Sequence, residues 1–156
     1  MSESIIFVHS YHHMNTLKIA NAIGEKINAK VIEIKCIESI ELETYDLIGF
    51  GAGIDSGKHY PLMLKFAENL PIVKNKKAFI FSTSGIYKYK KMLKDHQALR
   101  TIVESKEFKI IGEFGCKGFN TNSVLKYFGG MNKGYPNDED IKNAKNFGEN
   151  LINEYK

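Results

Sequence analysis

At 156 residues, with 43% hydrophobic and 26% charged side chains, the chain has the length of one ordinary domain and the composition of a globular protein rather than a disordered one. The formal net charge of +4 arises from lysines interspersed with acids, unlike the concentrated stripe of a nucleic-acid binder, and no apolar run is long enough to span a bilayer. Cys36 and Cys116 stand far apart, which argues against a disulfide framework or a cysteine-rich zinc site, and Met1-Ser2-Glu3-Ser4 lacks the features of a secretory signal. The expectation is a single cytoplasmic domain over residues 1–156, with no membrane and no nucleic acid as partner.

Ile5 to Val8 is a continuous apolar run, as expected of a strand covered on both faces of a parallel sheet. The polar stretch Ser10 to Thr16 follows, and Ile19, Ala20, Ile23 and Ile27 then recur at helical spacing, with Asn15 or Thr16 as cap. Val31 to Cys36 alternates and reads as an edge strand, with Cys36 in the core. The link Ile37 to Tyr45 is short for the dozen residues of a usual parallel crossover. Asp46 to Gly51 forms the third strand, whose glycines permit close packing or the approach of a ligand, and Ala52 to Tyr60 is the loop beyond it. Pro61 opens a second helix through Met63, Phe66, Ala67 and Leu70, and Pro71 ends it.

Lys77 to Phe81 is the fourth strand, followed by the small polar loop Ser82-Thr83-Ser84-Gly85. Tyr89 to Glu104 predicts a third helix with Met92, His96, Leu99 and Val103 on one face, and Lys109 to Phe114 a fifth strand. Gly115 to Pro136 is glycine-rich and irregular, with a short helix expected near Ser123 to Phe128. Asn137 caps the last helix, whose first turn holds Asp138, Glu139 and Asp140 and whose buried face holds Ile141, Ala144, Phe147, Gly148, Leu151 and Tyr155.

Strands alternating with helices predict a three-layer, doubly wound α/β fold with a five-stranded parallel sheet, in which ligands bind beyond the C-terminal strand ends. Three loops, beginning at Ser10, Ala52 and Ser82, then converge. The first precedes a helix N-terminus, where unpaired amides and the positive end of the dipole favour an anion. Ser10 and Thr16 add hydroxyl donors and Asn15 an amide, a donor set suited to a phosphate monoester.

Four segments carry a family resemblance: Ser10-Tyr11-His12-His13-Met14-Asn15-Thr16-x-x-x-Ala20, Tyr45 to Ile54, Phe79 to Gly85, and Ile111 to Phe119. Together they resemble the short flavodoxins over almost the whole chain. The resemblance implies the strand order 2-1-3-4-5, FMN as cofactor, and electron transfer with redox partner proteins or small acceptors, as carrier or FMN-dependent oxidoreductase. It implies a phosphate at Ser10, Tyr11, His12, His13, Met14, Asn15 and Thr16. The isoalloxazine ring would then lie between Ala52, Gly53, Ile54, Asp55, Ser56 and Gly57 on one side and Ser82, Thr83, Ser84 and Gly85 on the other. Met14 stands where relatives commonly have Gly, a costly choice if φ is positive there. Asp55 and Ser56 replace the usual aromatic wall, so stacking would fall to Tyr87, Tyr60 or Phe119.

The competing expectation is a flavin-free chain of the same fold that binds another phosphorylated ligand or serves as an interaction module. A receiver domain is disfavoured because His9-Ser10 and Gly51-Ala52 do not supply its acidic cluster. His9, His12, His13 and His59 have no diagnostic metal-ligand spacing and are read as phosphate neighbours or solvated side chains. Lys88, Lys90, Lys91 and Lys94 are read as a solvated face without a role, and Cys116 as an incidental thiol.

Overall fold

The computed structural model describes residues 3–10, 14–37, 41–118 and 133–155. Five parallel strands, β1 (Glu3–His9), β2 (Ala29–Glu33), β3 (Tyr45–Asp55), β5 (Lys77–Ser84) and β6 (Lys109–Lys117), lie in the order β2-β1-β3-β5-β6. A two-residue strand, β4 (Lys58–His59), pairs antiparallel with the end of β3. Counting the five parallel strands alone gives the expected order 2-1-3-4-5.

The sheet is covered on both sides, as the apolar strands require. On one face Phe7, Ile48, Phe50 and Ile80 pack with Met63 and Ala67 of α2 (Pro61–Glu68) and with Leu99 and Val103 from the third helical region. On the other, Ile6, Val8, Leu47, Phe79 and Phe81 meet Ile19 and Ile23 of α1 (Asn15–Ile27) and Ala144 and Leu151 of α5 (Asp138–Tyr155). Gly49 and Gly51 serve packing rather than a ligand, because a Cβ on either would collide with the ring of Phe79 or Phe81.

Several boundaries differ from those expected. β2 ends at Glu33, and Ile34–Cys36 forms a 3-10 turn that buries Ile34 and leaves Cys36 exposed, so Cys36 is not a core residue. Among the described residues the crossover from β2 to β3 holds this turn and no α-helix, and Leu42 anchors it in the core. The third helix is two segments, α3 (Tyr89–Asp95) and α4 (Gln97–Ser105), which meet at His96. The His96 amide still donates to the Met92 carbonyl and its carbonyl accepts from the Arg100 amide, so the helical path continues through the junction. At α5, Asn137 Oδ1 accepts from the Asp140 amide while Asp140 Oδ2 accepts from the Asn137 amide, a reciprocal cap. The expected helix at Ser123 to Phe128 lies outside the described residues.

Candidate functional site

The register of three neighbouring strands places His9 opposite Ala52 and Ala52 opposite Ser82, so the predicted loops do start from one line at the C-terminal edge of the sheet. Two of those loops are shorter than expected. β3 continues through Asp55 and turns back into β4 at Ser56 and Gly57, whose φ values of 54° and 81° suit a tight two-residue hairpin. Ser82, Thr83 and Ser84 belong to β5, so Ser82 and Thr83 point to opposite faces of the sheet.

The first loop is fastened at both ends. At its start, Glu33 accepts from the Ser10 amide at 3.0 Å and lies 3.2 Å from His9 Nδ1. At its end, Ser10 Oγ accepts from the Leu17 amide at 3.3 Å, which closes the loop on the first turn of α1. A hydroxyl that accepts one bond keeps its own proton, so Ser10 remains a donor. Thr16 Oγ1 lies 2.8 Å from Thr83 Oγ1 in the protein interior. One of these two hydroxyls donates to the other, and the second retains a proton to offer. No acidic residue occupies the first turn of α1. Met14 precedes that turn in the left-handed region, φ 56° and ψ 25°, with its side chain exposed.

Tyr60 lies over Gly53, where a Cβ would come within 2.6 Å of the ring, and meets the edge of His9 with 5.9 Å between ring centroids. It therefore stands between the first loop and the end of β3. Ser84 Oγ donates to the Ile86 carbonyl at 2.9 Å, and the Gly118 amide donates to the Ser84 carbonyl, which ties the segment after β5 to the end of β6. The structure thus brings together Ser10, Met14, Asn15, Thr16, Ala52, Gly53, Ser82 and Thr83. Tyr87 packs over Gly115 of β6, the residue that pairs with Ser82 across the ladder, and burial raises its phenol above the ordinary value. Asp55, Ser56 and Gly57 form the hairpin tip. Tyr11, His12, His13 and Phe119 lie outside the described residues.

Beneath these loops runs a polar chain, buried at Ser82 and His96 and partly buried at Glu113 and Arg100, that sequence reasoning missed. Ser82 Oγ is 2.7 Å from His96 Nε2, His96 Nδ1 is 2.9 Å from Glu113 Oε1, and Arg100 grips both oxygens of Glu113 at 2.7 and 3.0 Å. Burial opposes ionisation of Glu113, but the hydrogen bonds from His96 and Arg100 outweigh it and hold the carboxyl at about 2. As the carboxylate can only accept, His96 Nδ1 carries the proton shared with it. His59 packs on His96 with ring centroids 4.8 Å apart and donates Nε2–H to the Phe81 carbonyl at 3.0 Å. Desolvation, reinforced by His96, lowers its pKa to about 3, so it is neutral and not the solvated side chain expected. The available signal was Glu113 itself, a partly buried carboxylate in the middle of an otherwise apolar strand, which requires a partner.

A groove of about 410 Å³ opens beside β6, lined by Tyr87, Gly115, Cys116, Lys117, Tyr135 and Asn143 among others. Burial pushes the Cys116 thiol above its ordinary value, and the Asp140 carboxylate adds to the effect. No group of three or more His, Cys, Asp or Glu side chains among the described residues could hold a metal ion.

A family model described as a flavodoxin domain matches residues 6–151. The chain belongs to the flavodoxin-domain family. An uncharacterized protein of Methanocaldococcus jannaschii is 45% identical over 150 residues, covering 96% of this chain and 98% of that protein. A flavodoxin from the domain Archaea superposes with a TM-score of 0.69 at 18% identity, covering 97% of each chain. An apo NADH:FMN oxidoreductase gives 0.67 at 14% identity, covering 96% of this chain and 88% of that one. At these identities the two structures speak for the fold alone. Among the described residues no helix is long and apolar enough to cross a membrane.

Proposed function

We propose that this flavodoxin-domain protein binds FMN and moves electrons between redox partners. The observation that carries the reading is the fastened first loop, with Ser10 and the Thr16–Thr83 pair keeping protons to donate at the start of a helix whose first turn holds no acid. These are the donors a phosphate monoester needs, and the family match supplies the flavin. The ring would rest between the end of β3 with its hairpin and the segment from Ser82 to Gly85, with Tyr60 as an aromatic wall. A bound flavin supplies one- and two-electron chemistry. The chain's own contribution is to fix the phosphate through Ser10, Asn15 and Thr16, and to hold β5 rigid from below through Ser82, His96, Glu113 and Arg100.

The visible spectrum of the purified protein and a titration of the apoprotein with FMN test this reading. A yellow protein, or saturable quenching of FMN fluorescence, is expected; a colourless preparation that leaves excess FMN unquenched overturns it. Oxidation of NAD(P)H with quinone or metal acceptors then separates an oxidoreductase from a carrier, which turns over only with a partner protein. The alternative, a flavin-free chain that takes another phosphorylated ligand, is favoured by the hairpin tip, where Asp55 and Ser56 offer a flavin ring no aromatic wall. Binding of inorganic phosphate by a chain that ignores FMN is its signature.

A further inference from the structure

Five large hydrophobic side chains are exposed among the described residues, and four of them, Met14, Leu62, Ile86 and Tyr89, leave the sheet at the end where the candidate site lies. Ile72 alone is at the opposite end. Ile86 and Tyr89, three residues apart in the chain, are 56% and 63% exposed. Lys88 stands between them before α3, and Lys90, Lys91 and Lys94 follow on the helix. α3 packs against β4, and the hairpin tip lies beside it, since a Cβ on Gly57 would come within 3.9 Å of Asp95 Oδ1. Lys58, the next residue of the hairpin, is exposed near the C-terminal end of α3. Asp95 does not offset the lysines to an incoming molecule, because it is buried and bound by Lys91 at 2.6 Å. Asp55 is left as the exposed acid of the hairpin.

An exposed aliphatic and an exposed aromatic side chain within a rim of lysines have the anatomy of a protein interface, with an apolar centre and a charged edge. We propose that Ile86, Tyr89 and the rim of Lys58, Lys88, Lys90 and Lys94 dock a small acidic electron-transfer protein. The charge complementarity selects an acidic partner, and the position beside the end of β5 puts that partner next to the candidate site. A nucleic-acid surface would instead offer successive aromatic platforms along a basic groove, where this patch offers one tyrosine. That the partner is a redox protein rests on the function proposed above; the docking surface rests on the geometry. Lysines at a rim act by steering association, so binding should be weak to moderate and sensitive to salt.

The test uses the isotope-labelled full chain, with and without FMN, titrated with an oxidised acidic plant-type ferredoxin, and in parallel with a basic cytochrome c. Saturable amide shifts centred on residues 86–94 and Lys58 are expected with the ferredoxin. Affinity should fall at least about tenfold between about 20 and 200 mM salt. The variant K88E/K90E/K94E should lower affinity by about tenfold or more, and the milder K88Q/K90Q/K94Q should lower it in the same direction, with thermal stability and the FMN titration unchanged. Shifts centred elsewhere, no saturable shift at low salt, equal binding of the cytochrome, or tighter binding of single-stranded oligonucleotides or anionic vesicles at this patch would overturn the proposal. Because docking is read with and without FMN, failure of the cofactor to bind and failure of the acidic protein to dock are separate results.

Discussion

Thr16 Oγ1 and Thr83 Oγ1 lie 2.8 Å apart in the interior, so the start of α1 is tied to the end of β5 across the edge of β3 that lies between them. Loop and strand then cannot move independently.

Thr83→Val removes one hydroxyl and leaves the other buried without its partner, a loss of about 1–3 kcal/mol. Thr16→Val should cost a similar amount, and the double variant less than the two together, since no buried hydroxyl remains to be satisfied. Urea unfolding of the four proteins measures the coupling. Strictly additive losses would mean that the bond does not connect the two elements. FMN affinity, measured alongside, should drop in both single variants.

Met14 holds φ 56° with an exposed side chain, so it bears the cost of a left-handed residue and recovers little by packing. Met14→Gly relieves that cost of about 1–2 kcal/mol but adds about 0.4–1 kcal/mol of freedom to the unfolded chain, so a small net gain in stability is expected. FMN should bind at least as tightly. A variant that is less stable and binds more weakly would show that the methionine side chain supports the loop in its own right.

What the sequence disclosed follows from which interactions are local. The apolar runs of β1, β3 and β5 and the Asn137 cap of α5 depend on near neighbours, and they were legible with the strand order; the expected cap of α1 by Asn15 or Thr16 is not found, because both lie inside the helix and Met14 precedes it without a side-chain cap bond. Met14 was recognised as the strained position through the family resemblance, since it stands where relatives commonly have Gly, and its φ of 56° agrees. The ends of β3 and β5 were not legible, because their pairing with β4 and β6 comes from residues distant in sequence. Cys36 was assigned to the core on an alternating pattern that the 3-10 turn after Glu33 interrupts. His96 looked like one position on an apolar helix face, and only Glu113, Ser82 and His59, brought in from three other strands, turn it into a polar junction.

That junction predicts the acid limb of stability. His59 is depressed from 6.5 to about 3 in the folded protein, so between those values the unfolded chain binds the extra proton and stability falls as pH falls. Full protonation of one such group in the unfolded state alone gives a slope approaching about 1.4 kcal/mol per pH unit. Glu113, depressed from 4.5 to about 2, acts with the same sign at lower pH, its contribution present above 4.5 and lost as pH falls through about 2. His59→Gln can still donate to the Phe81 carbonyl but does not titrate. Its stability should be lower at neutral pH and nearly flat from about pH 6.5 to 5, with the Glu113 limb retained. An unchanged slope in unfolding experiments across that range would show that His59 does not carry the effect.

Cys116 and Cys36 should behave as opposites toward thiol reagents. The thiolate is the reactive species, and Cys116 is disfavoured from forming it by burial and by the Asp140 carboxylate, while access to its sulfur is also restricted. Cys36 is exposed in the turn after β2, on the far side of β1 from the candidate site. A disulfide-exchange reagent at pH 8 should therefore titrate one thiol per native chain, and Cys36→Ser should abolish that fast phase. Cys116 should react only at the rate of unfolding, and quickly in denaturant. A fast reaction of Cys116 in the folded C36S variant would place an accessible, ionisable thiol beside Tyr87 and Lys117 and would give the groove there a redox chemistry of its own. If the thiol is inert, the electron transfer proposed for this chain has to rest on a bound cofactor.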